Sequence, residues 1–360
     1  MRNTLLVGNH ARFQTKHGLS RLPLDELSRS ADRRGASFLL ISGSSAASQS
    51  LWLGGRRRSG EEVEYGMTSI GGIILVFACV VVGYLMEKGK IAVLLQPAEL
   101  LIILGAAMGT VLTANPIHIL KKIISGLMGV LKGSPFTQKR YLETLKMMFD
   151  LLARSRKEGA IAIEGDIEDP DKSPIFSRYP QFLADHHARD FVCDTMRMAI
   201  TGGVSAFDID QMMELDMEVH HHSASQPNQA LTTMADALPG LGIVAAVLGV
   251  VVTMGSLGGP PEEIGAHVAA ALVGTFLGIL LCYGLVGPLA SFMSKIVDEE
   301  QNYYHVLRVL MLASIKGTAP IMAVEMGRRA IPEHSRPSFI EVEKACREKA
   351  GEPQAVPEAA

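Results

Sequence analysis

Four apolar stretches constrain this chain more than anything else in it. They cover residues 70–86, 98–113, 238–254 and 268–286, and Glu99 is the one acidic or basic side chain in any of them. A helix needs about 20 residues, within a range of about 17–25, to cross the hydrocarbon core of a bilayer. The second stretch is short, so it borrows Gln96 and Pro97 at its entrance or sits in locally thinned lipid. Residues 87–90 turn the first stretch into the second, and residues 255–267 join the third to the fourth. A long polar segment separates the two pairs. The layout predicts an all-α integral membrane protein, four transmembrane helices arranged 2+2, with a large cytoplasmic helical domain.

Composition agrees, although 48% hydrophobic residues and a mean hydropathy of +0.22 would not decide the class alone. The concentration of apolar residues decides it. A net charge of −3 and the lack of a basic stripe with interleaved aromatics give no reason to expect a nucleic-acid partner. Lys121, Lys122, Lys132, Lys139 and Arg140 follow the second span, and Lys295, Arg308 and Lys316 follow the fourth. The two short loops hold only Lys88 and Lys90. The positive-inside bias therefore places the long segment, the C-terminal tail and the start of the first span in the cytoplasm, with the hairpin tips outside. By that orientation Glu99 lies toward the outer end of its span. A chain of this design offers no mid-membrane carboxylate, and if it moved protons a partner would have to supply one.

The long segment reads as helical. Tyr141, Leu145, Met148 and Leu152 form an apolar stripe at helical spacing, and Gly159 can stop that helix. Residues 165–170 form an acidic turn or short helix before Pro170. Amphipathic helices are expected over residues 182–200 and 207–219, the latter capped by Ser205 or Asp208. His220-His221-His222 is not a metal site, because neighbouring helical residues point about 100° apart. It reads as solvated histidines at a helix end. Cys79, Cys193, Cys282 and Cys346 follow no metal or disulfide spacing. No phosphate loop, metalloprotease helix, nucleophile elbow or carboxylate pair is present, so no enzyme and no cofactor is expected.

The third and fourth stretches are rich in glycine. Gly274 and Gly278 form a pair four residues apart that permits close helix approach. Pro239 and Pro288 stand at the inner ends, where missing backbone hydrogen bonds ease bending. The hydroxyls of Thr275 and Tyr283 either bond backbone carbonyls or line a wet path.

From Met67 to about Lys349 the ordered pieces of this chain resemble the MotA family of flagellar motor stator subunits. The pieces are QPAEL (96–100), SR (155–156), IEGDIEDP (163–170), FSRYPQFLAD (176–185), LPGLGIVAAVLGVV (238–251) and VGTFLGILLCYG (273–284). GPLA (287–290), AVEMGRR (323–329) and RPSFIEVE (336–343) complete the set. The resemblance implies a ring of such subunits, five around two copies of MotB, whose aspartate carries the proton. Ion flow would turn the ring against FliG of the rotor. The family's rotor-contact charges fall on Arg156 and Glu164, its coupling prolines on Pro239 and Pro288, and its pore-facing threonine on Thr275. Sodium-type relatives carry a threonine where this chain has Ala246, and a methyl group offers sodium no oxygen. The coupling ion is therefore expected to be H+, in a multi-pass protein of the bacterial inner membrane with both termini cytoplasmic.

The domains expected are residues 67–114 as outer hairpin, 115–237 as rotor-facing cytoplasmic domain, 238–290 as pore-facing hairpin and 291–360 as cytoplasmic helix and tail. Residues 1–66 match nothing in the family pattern and read as a disordered extension or as sequence upstream of a true start at Met67. The alternative is an ExbB/TolQ-like energiser of another envelope machine. Those relatives usually have three spans, against four here.

Overall fold

The computed structural model describes residues 64–255 and 258–347. Its helices are α1 (Glu64–Met86), α2 (Ile91–Leu94), α3 (Pro97–Ala114), α4 (Ile117–Lys132), α5 (Gln138–Glu158), α6 (Glu164–Glu168) and α7 (Pro180–Ala184). These are followed by α8 (His186–Thr201), α9 (Ala206–Gly255), α10 (Pro261–Leu281), α11 (Gly287–Ile315), α12 (Pro320–Ala330) and α13 (Phe339–Arg347). A π-helical turn, Cys282–Val286, carries α10 into α11. No strand occurs among the described residues. The helix α1 begins three residues ahead of Met67, and the reading of the remaining extension lies outside the described residues.

Among the described residues, four helical segments are long and apolar enough to cross a membrane: Thr68–Met86, Ile91–Ala114, Ala206–Gly255 and Pro261–Ile315. The chain is membrane-embedded, and its described residues are almost entirely helical, as the apolar stretches require. Pro97 opens α3 in the first turn, where a missing N–H leaves no helical bond unmade. Leu95 and Gln96 break the helix ahead of it, so the second span is two pieces rather than one.

The largest departure from expectation is α9. The segment read as a helix over 207–219, a histidine end and a new span at 238 is one helix of 50 residues, about 75 Å long at 1.5 Å per residue. The expected boundary at 237/238 falls inside it. His220, His221 and His222 lie in its interior, not at an end. Its start is as expected, with the Ser205 hydroxyl accepting from the Asp208 amide at 3.1 Å. The helix expected over 182–200 is instead two. The Asp185 carboxylate accepts from the Ala188 amide at 3.1 Å, capping α8 and ending α7.

Two hydrophobic cores are strung along the same long helices. The membrane core joins α3, α4, the C-terminal half of α9, the π turn and the start of α11 through residues such as Ile103, Ile119, Ala245 and Met293. The cytoplasmic core joins α5, α6 and α8 to the N-terminal half of α9 and the far end of α11, with α12 and α13. At its centre Tyr303 is fully buried and shares a 2.9 Å hydrogen bond with Thr144. The Arg140 guanidinium lies over the adjoining rings of Phe136 and Tyr303 and pairs with Asp185. Of the residues expected to form a cytoplasmic helix and tail, the far end of α11, α12 and α13 therefore belong to the same core as the long loop.

Candidate functional site

The third and fourth spans, α9 and α10, pack backbone to backbone. A methyl group on Gly278 would stand 2.6 Å from the Leu238 carbonyl, and one on Gly242 would stand 2.9 Å from the Gly274 carbonyl. Gly249 meets Ala271 in the same way at 2.7 Å. No side chain fits at these crossings, so the glycines fix how closely the hairpin closes.

Thr275 is half-buried beside that seam. Three other threonines of the spans return their hydroxyls to the backbone: Thr110 to Ala107, Thr113 to Gly109 and Thr253 to Gly249, at 2.7–2.8 Å. Thr275 makes no such bond among the described residues. Tyr283 is likewise unbonded and 73% exposed. It sits in the π turn, where one residue more than an α-helical turn is accommodated. Pro288 is the second residue of α11, directly after that turn. Its missing N–H leaves the preceding turn without one α-type bond, which gives the π geometry a local cause. Pro239, by contrast, lies inside the unbroken α9. Ala246 is half-buried on α9, and its amide nitrogen faces Gly274.

Glu99 stands at the start of its span, as expected, but it is buried there, which the sequence did not disclose. It is 6% exposed, on the first turn of α3, and packs against Gly274 of α10. Gly274 is the seventh residue of its apolar stretch, about 9 Å below the outer edge at 1.5 Å per residue.

The second site is cytoplasmic. Gly159 ends α5 with φ +92, a conformation natural to glycine. Arg156 precedes this break and Glu164 follows it, both exposed. The Arg156 guanidinium donates to the Gly317 carbonyl at 3.0 Å, tying α5 to the turn after α11. Glu164 makes no ion pair among the described residues. Beneath it, buried Asp166 accepts from Arg154 at 2.8 Å and from Ser173 at 2.6 Å. That network braces the corner and was not foreseen, since its partners lie up to 12 residues apart with no periodic signal. The AVEMGRR piece is a clasp: Glu325 binds both Arg328 and Arg329, and Arg328 beside it holds the carboxyl down to about 2. Arg328 also donates to the Pro337 carbonyl.

The long helices are cross-tied outside the bilayer. Arg308 of α11 binds Asp210 at 2.6 Å and Glu214 at 3.3 Å on α9. His220 of α9 stands 3.1 Å from Glu300 of α11, and the hydrogen bond to Glu300 raises the imidazole pKa against the opposing effect of burial. These contacts make the inner extensions of the hairpin a single unit with the cytoplasmic core.

The family models agree with this arrangement. Residues 70–159 match the Motility protein A N-terminal family and residues 183–305 match the MotA/TolQ/ExbB proton channel family. Motility protein A of Escherichia coli strain K12 is 40% identical over 276 residues, which take in 77% of this chain and 94% of that protein. A structure of the flagellar MotAB stator complex from Bacillus subtilis superposes with a TM-score of 0.58 at 27% identity, over 72% of this chain and 93% of that one. The fold also matches that of C. jejuni MotAB, with a TM-score of 0.63 at 19% identity, over 76% of this chain and 99% of the other. With its four spans, glycine-closed hairpin and helix-linked cytoplasmic core, this chain belongs to the Motility protein A family.

Proposed function

We propose that this chain is the ring-forming stator subunit of a flagellar motor, seated in the bacterial inner membrane with both termini in the cytoplasm. Several copies surround a MotB-like partner, in a pentamer around a dimer. The hairpin α9–α10 faces that partner, and protons are the coupling ion. The observation that carries this reading is the unbroken run of α9 from the glycine seam into the cytoplasmic core. A displacement of the hairpin reaches the exposed corner at Arg156 and Glu164 through packed helices and the ties at Arg308 and His220, with no flexible link between. That corner, in this reading, meets an oppositely charged face of a FliG-like rotor protein. The unbonded hydroxyl of Thr275 supports a place for it along the ion path.

The test is proton flux into vesicles carrying the chain with and without a MotB partner whose plug is removed. The chain alone is expected to be silent and the pair to conduct. Replacing the partner's aspartate by asparagine is expected to stop conduction. Leak through the chain alone, or flux that survives the aspartate change, would overturn the reading.

A further inference from the structure

Glu99 is a carboxyl built into the wall of the hairpin. Of the four apolar stretches, residues 70–86, 98–113, 238–254 and 268–286, only the second holds an acidic or basic side chain, and this is it. It is 6% exposed, and its Oε2 is buried without a hydrogen-bond partner. The oxygen faces Gly274 so closely that a methyl group there would stand 2.6 Å away. The same methyl group would lie 3.3 Å from the Ala245 side chain and 3.3 Å from the Ala246 amide. The carboxyl thus fills a notch between α3, α9 and α10, against the glycine that precedes Thr275 on one helix and level with Ala246 on another. The facing stretches of α9 and α10 present no acidic or basic group to it.

A packing role does not call for this residue. A carboxyl oxygen buried without a partner costs free energy that an apolar side chain of the same size would not. Ionisable side chains inside a membrane characteristically mark ion and proton routes. The absence of an oxygen on Ala246 also reads differently once a carboxyl lies beside it: this chain brings its own proton-binding oxygen to that level. We propose that Glu99 is a proton-binding residue of the ion path, a second titratable site supplied by this chain in addition to the partner's aspartate. The carboxylate takes up a proton from the outer side, and the acid returns it to the next acceptor inward. Only O–H bonds form and break.

The inference rests on the stator reading, and the flux assay separates the two. Wild-type chain with unplugged partner must conduct, and the partner's aspartate change must stop it; failure there is failure of the stator reading. With those controls met, Glu99→Gln is expected to assemble and to lower flux about tenfold, less than the loss of a full acid–base group because water can bypass it. The flux–pH curve, broadened in the wild type by two titrating carboxyls, is expected to narrow to a single site. Glu99→Asp keeps the broad profile at altered position. A merely structural glutamate would change the amount of assembled complex and leave the profile per complex unmoved. Glu99→Gln with wild-type flux and an unchanged profile overturns the proposal. Should Glu99→Gln fail to assemble, the wild-type complex decides. Dicyclohexylcarbodiimide, which attacks protonated carboxyls from the lipid phase, is expected to form an adduct at Glu99 that slows as pH rises. A conducting complex with no adduct at Glu99 overturns the proposal equally.

Discussion

His220 on α9 and Glu300 on α11 stand 3.1 Å apart, joining the extensions of the third and fourth spans outside the bilayer. The rings of His187 and Tyr304 pack against the imidazole at 4.7 and 4.9 Å. Asp216 and Asp185 add to the field that favours its protonated form. Because the folded-state pKa is raised, the stabilisation is fully present below the unfolded value of about 6.5 and is lost as pH rises through the folded value. Thermal stability of the detergent-solubilised protein is therefore expected to fall as pH rises above about 6.5. His220→Gln should remove that slope and cost about 1 kcal/mol at pH 6, the scale of a partly exposed ion pair. A wild-type slope retained in the variant would place the titration elsewhere.

Arg156 and Glu164 flank the Gly159 break on an exposed corner. Each exposed charge contact is worth about 0.2–1 kcal/mol. Single neutral substitutions are expected to reduce motor torque in part. The double reversal, Arg156→Glu with Glu164→Lys, is expected to abolish swimming while membrane assembly stays normal. Full swimming by the double variant would remove both residues from the rotor contact.

The same corner stands on buried Asp166. Asp166→Ala leaves Ser173 without its acceptor and frees Arg154, which is exposed enough to turn to water. The expected cost is about 1–3 kcal/mol, the penalty for breaking a buried charged hydrogen bond. Limited proteolysis should then cut sooner in the segment between α6 and α7 than in the wild type. An unchanged cleavage rate would show that the network does not hold the corner.

What the sequence disclosed follows from what is local in it. Spans, the Gly159 stop, the Ser205 cap and the close glycine pair each depend on a few neighbouring residues. The continuity of α9 was hidden because residues 220–229 carry no apolar stripe and include Pro227. Packing on α4 and α11 holds them helical, and propensity yields to that context. The His220–Glu300 pair joins residues 80 positions apart, which no periodicity reports. Glu99 was read as an early residue of its span, and its burial was hidden for another reason. Its distance from the start of its helix is legible, but the vertical offset of one hairpin against the other is a tertiary quantity. That offset brings an early residue of α3 to the level of Gly274.

The glycine seam gives a sharp contrast between neighbouring positions. Gly278→Ala forces a methyl group to 2.6 Å from the Leu238 carbonyl, which belongs to backbone and cannot swing aside. Overpacking of this kind costs about 1–3 kcal/mol. Gly240→Ala, on the facing helix α9, meets open space. Membrane levels of assembled complex are expected to fall for Gly278→Ala and to hold for Gly240→Ala. Equal levels would mean that the seam opens without penalty.

Pro288 and the π turn before it are the place where the fourth span can change length without breaking. Proline at the second position of α11 cannot donate to the turn before it, and Gly287 is seated so close to the Cys282 carbonyl that a methyl group would stand 2.7 Å from it. Pro288→Ala restores a donor and removes the ring, a change worth up to about 3 kcal/mol in favour of a regular helix. The turn is then expected to settle into α geometry, shifting the register of Tyr283 relative to Thr275. Assembly with the partner and proton flux through the unplugged complex should persist, because neither the glycine seam nor the Thr275 hydroxyl is touched. Rotation should be lost, because the helix that must flex at its inner end has become stiff. The measurement is tethered-cell rotation set against proton flux in the same strain. Wild-type rotation in Pro288→Ala would show that coupling does not pass through this turn, and loss of flux together with rotation would assign the proline to the ion path instead.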